Sequence, residues 1–317
     1  MRLAVLAASL FALAVVVAGC GRGGGESALN APRGVSLSPD GMTVLVADAG
    51  TGKDDGKVVS FPVPAAGKTG DFKPVGTKVV FKDLPSQKMK DEGYATVAGP
   101  SAAAMAPDGV VCVVIGDGGE AQPGELRCTD GLKVDLTAVE RDRNPDKGPV
   151  VSDPFGIAAD ADGGWFVSDL RANSVLFIDR AGEVTVVAVF KDIEGLPSNG
   201  QPAGVYAIQG QRGSPVVGVA LYGGALAGFS PALQQPPVVQ QMDGRAIALQ
   251  DDGAETLALL WSDSSGAPGT GSVFNMTLGL TVAQKLDRPS GFVKLPDGRL
   301  LISYERTGKL EIVGEPR

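Results

Sequence analysis

From residue 32 onward, short apolar runs of five to seven residues alternate with polar, glycine-containing turns. Runs of that length lack a sustained 3.6-residue period, and Asp-Gly or Pro-Gly corners bound them. The pattern predicts β-strands joined by tight hairpins. It also recurs. Each unit opens on a Pro/Gly corner, runs through an apolar strand to a turn built on Asp and Gly, and returns as a second apolar strand. A third strand follows a Gly-containing turn. Pro32-Arg33-Gly34 opens VSLSPDGMTVLVAD, Gly99-Pro100-Ser101 opens AAAMAPDGVVCVVIGD, and Asp153-Pro154-Phe155-Gly156 opens IAADADGGWFVSD. Gln201-Pro202-Ala203-Gly204 opens a fourth unit, which reaches VVGVALYGG with no Asp at its end. Gly244-Arg245 opens AIALQDDGAETLALLWSD, and Arg288-Pro289-Ser290-Gly291 opens FVKLPDGRLLISYE.

Six openings spread over the chain leave about 48 residues per unit, the size of a four-stranded propeller blade. A unit of this kind cannot bury both faces of its small sheet alone, whereas radial neighbours cover both faces and protect the edges. The expected fold is all-β: a six-bladed propeller of four-stranded antiparallel blades. Seven blades, a sandwich and a solenoid are its competitors. The last unit runs out of chain after three strands, and residues 26–31 are the expected donor of a fourth, closing the ring with an N-terminal strand. Two segments are too long for plain turns, SQKMKDEGY at 86–94 and TAVERDRNPDKGPVVSD at 137–153. The first reads as an inserted loop or one or two helical turns, the second as a loop. Both are expected at one end of the disc.

Composition narrows the chemistry. The chain of 317 residues has no His, which removes His-dependent nucleophilic triads, imidazole metal ligands and His general bases. Three Cys cannot build a four-thiolate zinc site. With Asp plus Glu at 36 against Lys plus Arg at 28, the net charge is −8, and no basic run offers nucleic acid a surface.

Residues 1–19, MRLAVLAASLFALAVVVAG, have a basic start and an apolar run and read as a secretory signal rather than part of the fold. Val17-Ala18-Gly19-Cys20 resembles a bacterial lipobox, with Cys20 the lipidated residue; an uncleaved anchor and ordinary secretion are the alternatives. Residues 20–27 then form a Gly-rich tether, and residues 28–317 a single propeller domain. The expected location is extracytoplasmic: the periplasmic face of an outer membrane in a two-membrane host, otherwise the outer face of the cytoplasmic membrane. Export permits disulfides. A hairpin centred on Glu120 places Cys112 opposite Cys128, so the two could bridge across strands or remain buried thiols on one sheet face.

The runs GPSAAAMAPDG and LTAVERDRNPDKGPVVSDPFGIAADADGGWFVSDLRANSVLFIDRAGEVTVVAVF, with PRGVSLSPDG before them, resemble the ScyD/ScyE family of exported bacterial propellers. The resemblance covers residues 32–190 and thins afterward, where LYGGALAGFSPAL departs from the family pattern. It implies a propeller related to the NHL and gluconolactonase-like groups, without a defined activity; the founding pair is linked to making the pigment scytonemin.

Asp48, Asp117, Asp169, Asp263 and Glu305 follow the second strand of five units. Equivalent positions in a radial fold form a ring, and such carboxylates could hold Ca2+. They could equally cap turns by accepting backbone N–H groups. Asn173 resembles the turn-fixing Asn of NHL-type blades. Glu140, Asn144 and Asp146 lie in the second long segment, and Glu140 and Asn144 are candidates for a pocket rim, as are Tyr222, Trp261 and Tyr304. Trp165 is expected between blades. Ala66-Gly67-Lys68-Thr69 mimics the end of a phosphate loop, but Pro62 stands where its first Gly belongs. The expected function is a lipid-anchored binding or assembly module without a catalytic group, its partner an envelope protein or a small molecule. The alternative is a calcium-dependent lactonase or esterase of the gluconolactonase-like type, for which Glu140, Asn173 and Asp263 supply the right side-chain types.

Overall fold

In the computed structural model, Pro32–Leu37, Thr43–Asp48, Gly56–Pro62 and Lys78–Leu84 pair antiparallel as blade 1. The described residues are 28–315, apart from 90–94, 117–121, 195, 197–199, 211–213 and 234. The expected signal, Cys20 and the expected tether lie outside them. Blade 2 is Pro100–Met105, Val111–Ile115, Glu125–Cys128 and Lys133–Asp135. Blade 3 is Pro154–Ala159, Trp165–Asp169, Ser174–Ile178 and Val184–Val189. Blade 4 is Pro202–Gln209, Pro215–Leu221, Ala225–Phe229 and Val238–Gln241. Blade 5 is Ala246–Asp251, Thr256–Leu260, Gly271–Asn275 and Leu280–Leu286. Gly291–Lys294, Leu300–Tyr304 and Lys309–Val313 begin blade 6. The first strand of each blade neighbours the first strands of the blades on either side, so six innermost strands surround an axis. The chain is a six-bladed propeller of four-stranded antiparallel blades.

The fourth strand of blade 6 corrects the expected closure. It is Gly70–Phe72, which pairs with Leu310–Ile312, and not residues 26–31. This strand sits inside the connection between the third and fourth strands of blade 1. Arg299, fully buried, fastens that connection. Its guanidinium donates to the carbonyls of Pro64 (3.3 Å), Ala65 (3.0 Å) and Lys68, and to the Asp297 carboxylate at 2.8 Å. The Ala66–Thr69 run that mimics a phosphate loop is thus the turn that this arginine grips. Residues 28–31 instead lead into blade 1, where Asn30 and Ala31 donate their N–H groups to Asp48.

Blade-to-blade contact at the axis is made by backbone and hydroxyl groups. Ser36 donates to the Ala103 carbonyl (2.7 Å) and Ser101 to that of Pro154 (2.7 Å). Ser168 likewise reaches Ala203, and Ser303 reaches Arg33. Glycine makes this approach feasible. A Cβ on Gly34 would stand 2.7 Å from the Ser101 carbonyl oxygen, and one on Gly156 2.6 Å from that of Ala203. Between blades the cores are carbon-rich. Trp165 is buried against Leu126, Leu136 and Cys128 between blades 2 and 3, as expected for inter-blade packing.

Cys112 pairs directly with Cys128 in the hairpin register, and the two form a disulfide. The segment after blade 2 is a helix, Leu136–Arg143, where a loop was expected. The Asp135 carboxylate accepts from Ala138 N–H at its start, and Asn144, at φ 36°, ends it in the left-handed region. Gln87–Lys88, in the first long segment, pairs with Val97–Ala98, just beyond it, as a two-stranded ribbon.

Candidate functional site

Two faces of the disc offer different chemistry. The innermost strands enclose a funnel of about 430 Å3, reached by residues of all six blades. Its walls include Val35, Leu37, Met105, Ile208 and Leu249, with polar groups from Ser36, Tyr206, Gln209 and Gln250. It reaches the hairpins between first and second strands, where Pro39, Pro107 and Ala161 lie. At the other end the Arg33 guanidinium lies 5.0 Å from the ring of Phe155, reaching from blade 1 to blade 3. Burial, reinforced by the charges of Asp251 and Asp252, pushes the Tyr206 phenol up to about 12, so it stays a neutral hydroxyl donor. Burial also raises the Asp160 carboxyl at the funnel wall.

The second face carries the loops between second and third strands and the links between blades. The carboxylates predicted to form a ring lie here, but the register separates them. Asp48 and Asp169 are opposite the opening prolines Pro32 and Pro154. The residues opposite Pro100 and Pro202 are Ile115 and Leu221. Asp263 comes three residues after the end of its strand at Leu260, and Glu305 begins the short 3-10 turn Glu305–Thr307. They are therefore not equivalent positions, because the second strands end at different points. Asp117 lies outside the described residues.

The partners of these carboxylates are mostly backbone donors. Buried Asp48 accepts from the N–H groups of Asn30, Ala31 and Gly50, with Lys57 at 3.7 Å. Asp169 accepts from the Ser152 hydroxyl and the N–H groups of Asp153 (2.7 Å) and Ala172 (3.1 Å). Complete burial nevertheless pushes its carboxyl up to about 6. Glu305 takes Thr96 N–H (2.7 Å), the Thr96 hydroxyl and Val97 N–H, holding the link into blade 2. Half-buried Asp263 accepts from the Ser265 hydroxyl and N–H, which hold it below the ordinary carboxylate range.

The pocket-rim candidates divide into two groups. Glu140 is buried on the helix Leu136–Arg143, and burial with the nearby charges of Asp169 and Asp146 pushes it up to about 7. Its Oε1 and the Oδ1 of Asn144 have no hydrogen-bond partner among the described residues. The Asn144 amide donates to the Gly148 carbonyl (3.0 Å), and Asn173, at φ 50°, donates to Asp146 (2.8 Å). Asn173 thus offers Asp146 a donor, whereas a cation needs its oxygen. Asp263 belongs to blade 5, away from this blade 2–3 cluster. Among the described residues no group of three or more Asp, Glu or Cys side chains is arranged to hold a metal ion, and the Glu140, Asn173 and Asp263 trio does not converge as a calcium site would require.

Tyr222 and Trp261 do come together, with ring centroids 6.2 Å apart. Tyr304 packs in the same core as Trp261, its hydroxyl turned to Glu311 at 2.8 Å. Burial first, then Glu311, raises its pKa far above the ordinary phenol value. Two arginines overlooked as site residues join the aromatic pair. Arg245 lies 5.3 Å from the Tyr222 ring and 5.7 Å from that of Trp261; Arg288 lies 5.2 Å from Trp261. Both stand in blade-opening corners, and that recurrence was the available signal. Beside them is a second cavity of about 380 Å3, lined by Gln201, Tyr222, Gln241, Met242, Arg245 and Ser264 among others.

No known family model and no curated protein matches the chain. Solved structures do. A streptogramin B lyase superposes with TM-score 0.53 at 15% identity, covering 89% of this chain and 93% of that one. A putative gluconolactonase superposes with TM-score 0.52 at 12% identity, covering 92% and 91%. A catalytically inactive histidine-to-alanine variant of virginiamycin B lyase from Staphylococcus aureus, with quinupristin, gives TM-score 0.50 at 14% identity, covering 89% and 94%. The likeness establishes the fold: a propeller of the kind found in gluconolactonase-like and lyase proteins.

Proposed function

We propose that the chain is a lipid-anchored, extracytoplasmic propeller of the ScyD/ScyE type that binds a small molecule in its axial funnel without converting it. The observation that carries this reading is the funnel itself. Its walls are largely apolar, and the polar groups that line it are hydroxyls, amides and the buried carboxyl of Asp160, with only the rim hydroxyl of Ser38 turned to a carboxylate, that of Asp40. Such a cavity selects by shape and a few hydrogen bonds. The lyase variant inactivated by loss of one histidine has no chemical counterpart here, because this chain has none. The lipobox ending at Cys20 and the Cys112–Cys128 disulfide support an exported, tethered protein.

The test uses the apolar fluorophore 8-anilinonaphthalene-1-sulfonate. One saturable site is expected, lost when the funnel wall is filled by Ala248→Trp while thermal unfolding remains cooperative. Unchanged fluorophore binding in Ala248→Trp sinks the funnel reading. Calcium-dependent hydrolysis of gluconolactone by the purified chain sinks the claim that no conversion occurs. Cys20→Ser is expected to release the protein from the membrane fraction, and continued membrane retention refutes the anchor.

A further inference from the structure

Arg245 and Arg288 are exceptional in an acidic protein. The other arginines that are not exposed have carboxylate partners: Arg33 with Glu305, Arg127 with Glu125 and Arg299 with Asp297. No carboxylate among the described residues lies within ion-pair distance of Arg245 or Arg288, although the chain has 36 acidic residues. Both guanidiniums are half-buried, and the Arg288 Nε is fully shielded without a hydrogen-bond partner. Trp261, itself buried, lies under both. Two half-buried cations close to one indole favour an anion beside them.

Arg245 is also oriented. Its Nη1 donates to the Tyr222 hydroxyl at 2.9 Å, and its central carbon lies 5.3 Å from the Tyr222 ring and 5.7 Å from the Trp261 ring, so three contacts hold the fork in place. The cavity it lines has the volume of a small organic molecule and a mixed wall. Gln201, Gln241 and Ser264 supply amide and hydroxyl groups, and Tyr222 and Met242 supply apolar contact. A planar, pre-oriented guanidinium matches a carboxylate better than a spherical ion. The surrounding amides and hydroxyl suit alcohol groups on the same ligand.

We propose that Arg245, Tyr222 and Trp261, with Arg288 adding positive charge, form a binding site for a hydroxylated organic carboxylate of the sugar-acid class. The site lies between blades 4 and 5, on the face opposite the hairpins that join first and second strands, and shares no lining residue with the funnel. Arg245 takes the carboxylate, and the amides of Gln201 and Gln241 take hydroxyls.

The chain contains two tryptophans, Trp165 and Trp261. In Trp165→Phe, fluorescence therefore reports Trp261 alone. Titration with galacturonate is expected to give a saturable change, and calorimetry on the unsubstituted chain the same affinity. Arg245→Gln should weaken binding by roughly tenfold or more, Arg245→Lys should recover part of it, and glucose should not bind. Circular dichroism melting checks that each variant is folded. Absence of a saturable signal in both measurements overturns the site. So does an Arg245→Gln chain that folds and binds galacturonate with unchanged affinity. Equal binding of glucose overturns carboxylate recognition, and equal binding of inorganic phosphate overturns the organic-acid assignment.

Discussion

The guanidinium of Arg299 donates to the carbonyl oxygen of Lys68, 231 positions earlier in the chain. This contact joins blade 6 to the segment that supplies its outer strand. Arg299→Ala leaves the Pro64, Ala65 and Lys68 carbonyls short of a donor and the Asp297 carboxylate without its guanidinium partner. A loss of about 3 kcal/mol or more is expected, read as a shift in urea midpoint with earlier proteolytic cutting between residues 63 and 77. Arg299→Lys should restore little, because one ammonium cannot reach the same set of oxygens.

The disulfide closes a segment of 16 residues within the blade 2–3 core. Loop-closure entropy for a span of that size amounts to about 3 kcal/mol. Cys112→Ala with Cys128→Ala should lower thermal stability by that order, and dithiothreitol should lower the unsubstituted chain but leave the double variant unchanged.

Glu140 and Asp169 make stability depend on pH in an unusual direction. Both carboxyls titrate higher in the folded chain, near 7 and near 6, than their ordinary values. Between the ordinary range and those values the folded state binds more protons than the unfolded state. Stability contributed by these groups is therefore greatest at the acidic end and falls as pH rises toward 7. Glu140→Gln removes one of them. Its melting temperature should exceed that of the unsubstituted chain at pH 8, and the difference should shrink by pH 5.

Gly156 and Gly204 bring bare backbone against the next innermost strand, with added Cβ atoms standing 2.6 Å from Ala203 O and Ala248 Cα. Neither obstacle is a flexible side chain. Gly156→Ala should cost about 2 kcal/mol or more and should also weaken fluorophore binding in the funnel, because blades 3 and 4 must part. Gly67→Ala, with open space around its Cβ, controls for the loss of glycine at a surface position, where only its φ of 88° opposes the change.

The blades were legible because hairpin chemistry is local. Asp-Gly turns, opening corners and short apolar runs each act within a few residues, and even the Cys112–Cys128 register followed from counting along one hairpin. What escaped depends on distant partners. Gly70–Phe72 is a three-residue strand whose identity comes from Leu310–Ile312, and no nearby pattern announces it. The helix Leu136–Arg143 did carry signals, Asp135 before it and Asn144 after it, but its eight residues are too few to show a clear period. The carboxylates looked equivalent by motif, yet small differences in strand ends gave Glu305 a link to hold and Asp169 a sealed interior. Arg245 and Arg288 were visible as corner residues; their convergence on Trp261 needs the ring to close.

The strand that completes blade 6 is covalently held at both ends within blade 1, so the latch of the ring is a mid-chain loop rather than a terminus. A mechanical load applied at residue 28 passes into the Pro32 strand at the axis and does not peel the latch. Opening the disc requires tearing a clasp sideways, with all of its pairings and the grip of Arg299 loaded together. Cleavage between residues 63 and 69 would cut the same clasp at one end and turn a shear-loaded seam into one that unzips.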